Sequence, residues 1–123
     1  MTEEFEIIAK LFANLEAARA EPFPNQRKQL LAPTNKCVYV VIDPDGAVLH
    51  VGQTPRGKGG LYQRLRNHLQ GQSSFVRAYF AGDGSQLRSG HSFKYIEVED
   101  SRLRALLESY TVGRLGPAHL GVG

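Results

Sequence analysis

The chain has 123 residues, 41% apolar and 22% charged, which suits one globular domain with one core and excludes a disordered chain. Its single cysteine, Cys37, excludes an internal disulfide framework, and no CxxC or Cys/His cluster has zinc spacing. The formal charge is only +3, but residues 51–95 hold seven basic residues (Arg56, Lys58, Arg64, Arg66, Arg77, Arg88 and Lys94) against one acid, Asp83, an excess that suits a polyanion partner or plain solubility.

Residues 2–20 are expected to form a helix, because Phe5, Ile8, Leu11, Phe12 and Leu15 recur at helical spacing and Glu3, Glu4 and Glu6 sit where the helix dipole favours them. This helix either packs on the rest of the chain or pairs with a protein partner or a second copy. Residues 21–35, with three prolines, read as an irregular connector. Residues 37–42 and 47–52 read as two strands joined by the turn DPDG, where Pro44 presets φ and Gly46 tolerates positive φ. A loop, QTPRGKGG, leads to a helix in LYQRLRNHLQG, with Leu61, Leu65 and Leu69 one turn apart and Gly71 placed to end it. SSFVRAYF reads as a short serine-capped helix, and AGDGSQLRSG as a second Gly-rich loop. FKYIEVE alternates as a half-exposed strand does. Residues 100–117 read as a helix with an Asp or Ser cap and a Gly-Pro stop. The expected fold is α+β: a small central three-stranded antiparallel sheet flanked by helices, with an extra N-terminal helix. Residues 1–36 form the N-terminal helix and connector, and 37–123 the main domain. No apolar run approaches the roughly 20 residues a membrane helix needs. The N-terminus is acidic where a signal peptide is basic, so a cytoplasmic protein without a membrane partner is expected.

Several residues have the chemistry of a site. In an ideal strand Tyr39 and Val41 share one face, and His50 shares its face with Val48. The hairpin brings the region of Tyr39 near that of His50. Arg64 and His68, four apart, lie on one face of their helix, and the planar arginine fork suits phosphate. On the last helix Leu103, Leu106, Leu107 and Tyr110 make an apolar stripe. Glu108 lies on a different face, with Ala105, Val112 and Leu115 as neighbours. An acid among apolar neighbours needs a partner, either a divalent metal or Arg104 one turn earlier. Each of these residues also has a plainer reading, as core aromatic, strand residue or solvated helix face.

In this order the residues resemble the GIY-YIG nuclease superfamily. Its first motif stands here as CVY at 37–39 and its second as HVG at 50–52. RLRNH at 64–68 resembles the segment of the family's arginine, and LLESY carries Glu108 where the family has its metal-binding glutamate. Pro117 matches a proline that follows that helix, and the likeness spans about residues 36–120. It implies hydrolysis of phosphodiesters in nucleic acid, DNA first and RNA as an alternative, with Mg²⁺ or Mn²⁺. Glu108 would hold the metal, Arg64 the scissile phosphate, and Tyr39 would orient or deprotonate the attacking water, with His50 or His68 lowering its pKa or acting as base. Arg56, Lys58, Arg66, Arg77 and Lys94 would add nucleic-acid contacts. His50 replaces the second tyrosine, which implies titration near neutrality. No asparagine follows the proline; either His119 substitutes or that contact is lost. Two other readings compete: a catalytically inactive nucleic-acid-binding module on the same fold, and an assembly protein built through helix 2–20.

Overall fold

The computed structural model describes residues 2–26, 28–54 and 57–120. Helix α1 (Glu3–Ala17) starts at Thr2, whose side chain accepts the Phe5 N–H. A two-residue strand β1 (Glu21–Pro22) follows, then the hairpin β2 (Cys37–Ile42) and β3 (Val48–Gln53). Helices α2 (Gly60–Leu69) and α3 (Ser74–Tyr79), a 3₁₀ turn at Gly84–Arg88, strand β4 (Ser92–Glu97) and helix α4 (Ser101–Leu115) complete the chain. Asp100 caps α4, and Gly116 ends it at φ 55°, a conformation glycine reaches without a Cβ penalty.

The fold is α+β, and its sheet is antiparallel with strand order β1-β4-β2-β3. It has four strands rather than the expected three. The added strand is β1, where Glu21 pairs with Phe93 and Pro22 with Ser92. Two residues, one of them proline, give no period-2 signal, and proline is tolerated because this is an edge. The 3₁₀ turn likewise falls inside a stretch that reads as loop.

Helices cover both faces of the sheet. Cys37, Tyr39, Val41 and Phe93 face a core built with Leu61 and Leu65 of α2 and Phe75 and Val76 of α3. Val38, Val40 and Val51 face a second core under α1 and α4. β2 is therefore buried on both sides, which is why CVYVVI reads as a continuous apolar run. The apolar stripe of α1 is spent on this second core through Ile8, Phe12 and Leu15, each worth about 1.5–3 kcal/mol of burial. The helix packs on its own chain through these residues, while Phe5 and Ile7 stay exposed. The connector sends Phe23 and Leu30 into the first core. Cys37 is fully buried, and burial pushes its thiol up to about 12, so it is an inert core residue. Among the described residues no helix is long and apolar enough to cross a membrane.

Candidate active site

The hairpin register sets the site. Tyr39 pairs with Gly52 and Val41 with His50, so His50 is delivered to the Tyr39 side of the sheet. A bulge follows, since Ile42 pairs with Val48 and Leu49 is left over. The bulge separates Val48 from His50: Val48 packs on the α1–α4 side, while His50 stacks on Phe75 with ring centroids 4.6 Å apart. The ideal alternation that put Val48 and His50 on one face is broken here. The bulge also turns two successive carbonyls to the sheet edge, where Val48 O accepts from Ala118 N–H (3.1 Å) and Leu49 O from His119 N–H (2.8 Å). That docking places His119 beside His50, with their Nδ1 atoms 3.3 Å apart.

Gly52 is dictated by space. A Cβ there would stand 2.5 Å from Tyr39 Oη and 2.6 Å from Cζ, closer than real contacts allow. The Tyr39 ring lies over the bare glycine and is fully buried. Its Oη lies 2.6 Å from His68 Nε2 and 3.5 Å from His50 Nε2, and it accepts the Arg64 Nε–H at 3.2 Å. His68, also fully buried, has Nδ1 2.6 Å from Ser73 Oγ. The i, i+4 spacing on α2 thus aims Arg64 and His68 at one phenol oxygen.

Electrostatics follow from this burial. Tyr39 is pushed up to about 12, against the pull of the Arg64 cation. His50 is pushed down to about 3, first by burial and then by His119 and Arg64. His68 is held well below the usual histidine range by burial. Two expectations change. The positive charge that was to lower the tyrosine does not outweigh desolvation, and His50 does not titrate near neutrality but stays neutral.

A cleft of about 610 Å³ runs along the β3 edge, lined by His50, Gln53, Arg64, Glu108 and His119 among others. Glu108 is half-buried, and Gln53 Nε2 donates to its Oε1 at 3.1 Å. Burial raises its carboxyl, opposed by Gln53 and by Arg64. The alternative partner, Arg104, is not paired with it: that guanidinium is buried and donates to the carbonyls of Val98 (2.9 Å) and Glu99 (3.1 Å). The only ion pair among the described residues is Arg102–Glu4 on the surface, so Arg64 and Glu108 share the cleft with no bridge between them.

The structure therefore brings Tyr39, His50, Arg64 and His68 together and sets Glu108 across the same cleft. Lys58, Arg66 and Arg77 are exposed. Arg56 lies outside the described residues. Lys94 is not at the site: it pairs with Val40 on the α1 face, and its Nζ donates to Glu16 O (2.8 Å) at the C-terminal end of α1. Arg88, counted in the basic stretch, reaches the carbonyls of Pro24 and Lys28 in the connector. Sequence reasoning missed Gln53 and Ser73, because a strand-end amide and a helix cap carry no motif; His119 had signalled itself only as a substitute for an absent asparagine.

Among the described residues no three His, Cys, Asp or Glu side chains converge to cage a metal ion. A single carboxylate in an open cleft instead fits Mg²⁺, which takes one or two carboxylates and completes its shell with water and phosphate. Compared with protein-family models, with curated proteins and with solved structures, the chain matches none.

Proposed function

We propose that the chain is a metal-dependent endonuclease of the GIY-YIG type, cytoplasmic, hydrolysing phosphodiester bonds in nucleic acid, with DNA as the first substrate to try. The observation that carries this reading is the pairing of an unbridged cation and an unbridged carboxylate, Arg64 and Glu108, in one cleft beside a neutral imidazole. Charges left unpaired at a cleft are costly unless a ligand completes them, and a phosphate with its counter-cation is complementary to both.

In this reading Arg64 binds non-bridging phosphate oxygens through its terminal nitrogens, while its Nε is tethered to Tyr39. The tether fixes the guanidinium before substrate arrives, so it is ready where charge develops. Tyr39 and His68, both enclosed, are positioning groups that do not touch substrate. His50 lines the cleft as an uncharged hydrogen-bonding group. Neither His50, near 3, nor Tyr39, near 12, is poised to take a water's proton at neutral pH. Glu108 would hold the divalent ion, with Gln53 orienting the carboxylate. Such an ion supplies charge on the phosphate and a bound water of lowered pKa. Lys58, Arg66 and Arg77 add sequence-independent phosphate contacts. Assembly through α1 has less support, because its apolar stripe packs within the chain.

The test is incubation of the pure protein with supercoiled plasmid and Mg²⁺ or Mn²⁺, with and without EDTA. Nicking that EDTA abolishes supports the nuclease. Salt-dependent binding with no cleavage of plasmid, branched DNA, single strands or RNA supports the inactive binding module.

A further inference from the structure

We infer that Ser73 sets the tautomer of His68 and, through it, the direction in which protons point along a buried chain that ends at the cleft. The geometry alone supports the tautomer; its consequence for cleavage rests on the nuclease reading above.

Ser73 is buried and caps α3, its Oγ accepting the Val76 N–H at 3.2 Å. The same oxygen lies 2.6 Å from His68 Nδ1. A hydroxyl has one proton and two lone pairs. Were the His68 proton on Nδ1, Oγ would accept twice, and its own proton would have no acceptor among the described residues. A buried donor left without a partner costs more than an ordinary hydrogen bond gains. With Nδ1 bare, Ser73 donates to it and every group is satisfied. His68 then carries its proton on Nε2 and donates it to Tyr39 Oη at 2.6 Å.

The rest follows by the same count. Tyr39 Oη accepts from His68 and from Arg64 Nε, so its own proton points to the remaining neighbour, His50 Nε2 at 3.5 Å. His50 is neutral, so its proton is on Nδ1, which donates to His119 Nδ1 at 3.3 Å. His119, accepting at Nδ1, then carries its N–H on Nε2. The chain thus ends as an N–H donor on a residue lining the cleft, on the same wall system as Arg64. A donor there suits a phosphate oxygen. The opposite direction would end the chain in a lone pair, which a phosphate oxygen repels. Ser73 is a positioning residue in this scheme, two hydrogen-bond partners removed from the cleft side of the network.

The experiment reads the ring nitrogens directly, by long-range ¹H–¹⁵N spectra of ¹⁵N-labelled protein at neutral pH. Wild type is compared with Ser73→Asp and Ser73→Thr, both of which keep a helix-capping oxygen. The expected wild-type pattern is a bare His68 Nδ1 and a protonated Nε2. A carboxylate can only accept, so in Ser73→Asp Nδ1 gains a proton; threonine keeps the wild-type pattern. A protonated Nδ1 in wild type, a bare one in Ser73→Asp, or loss of the pattern in Ser73→Thr overturns the inference. Cleavage is scored separately: Ser73→Asp lowers kcat about 10-fold or more with KM little changed, and Ser73→Thr stays near wild type. If the spectra fit and no protein cleaves, the tautomer assignment stands and the nuclease reading falls.

Discussion

Replacing Tyr39 by phenylalanine removes one oxygen from the centre of the buried network and changes no volume that matters. The ring still covers Gly52 and still fills its place against α2, so no cavity forms. What is lost is the acceptor for Arg64 Nε, the partner of His68 Nε2 and the long contact to His50 Nε2, this last beside the cleft where water can take its place. His68 is fully buried, so its nitrogen is left without a partner, at about 1–3 kcal/mol. Arg64 is half-buried, and water replaces part of its bond, adding about 1 kcal/mol. The sum is about 2–4 kcal/mol, or a Tm lower by roughly 6–16 °C for a domain of this size. Urea unfolding followed by circular dichroism measures it. Tyr95→Phe is the control: Tyr95 pairs with Tyr39 across the sheet, is only partly buried, and should lose less than about 0.5 kcal/mol. A Tyr39→Phe loss as small as that control would refute the argument, because the oxygen would not be holding a buried histidine. Under the nuclease reading the variant also slows cleavage, since Arg64 is no longer tethered.

Gly52→Ala should destabilise by about 1–3 kcal/mol, because its methyl group meets a ring that cannot retreat, and a thermal melt shows it. Acid stability follows the two buried histidines: with folded pKa values below the unfolded 6.5, the unfolded chain binds more protons beneath that pH. Stability is present above about 6.5 and falls as pH drops, down to about 3 for His50 and through the range below an ordinary histidine for His68, by up to about 1.4 kcal/mol per pH unit for each. His50→Asn should flatten that fall in urea midpoints measured between pH 7 and 4. Glu108 has the opposite sign. Burial raises its folded carboxyl, so its ionisation weakens the fold as pH rises, and Glu108→Gln should be at least as stable as wild type at pH 7. Under the nucleic-acid reading, Arg66→Ala and Arg77→Ala should each weaken DNA binding at every sequence and lower the salt slope of log affinity by about 1, whereas Lys94→Ala should leave it unchanged.

The parts of this fold legible in the sequence are those with local signals. The DPDG turn flanked by apolar runs gives the hairpin, leucines one turn apart give α2, and an Asp cap with a Gly stop bounds α4. The approach of His50 to Tyr39 follows from the hairpin, whereas the arrival of Arg64 and His68 is implied only by the family resemblance, because docking α2 on the sheet is a contact between distant segments. What was hidden depends on pairing between distant segments. β1 is two residues long and exists only because β4 offers an edge. The bulge at Leu49 has no glycine or proline to mark it, yet it brings His119 in and moves Val48 to the other face. Lys94 looked like part of a basic surface because charge counts along a chain ignore which face of a strand a residue takes. Of the two partners the sequence leaves open for Glu108, helical spacing offers Arg104 one turn away, but the carbonyls before α4 take that guanidinium and Gln53 at the end of β3 reaches the carboxylate.

The most direct test of the central claim is plasmid cleavage by wild type, Glu108→Gln and Arg64→Ala, each with Mg²⁺, alongside DNA affinity measured in Ca²⁺. Cleavage by wild type alone, with Glu108→Gln folded and still bound to DNA, is the predicted result. Cleavage that persists in Glu108→Gln, or a folded wild type that binds DNA and cuts nothing, would contradict it.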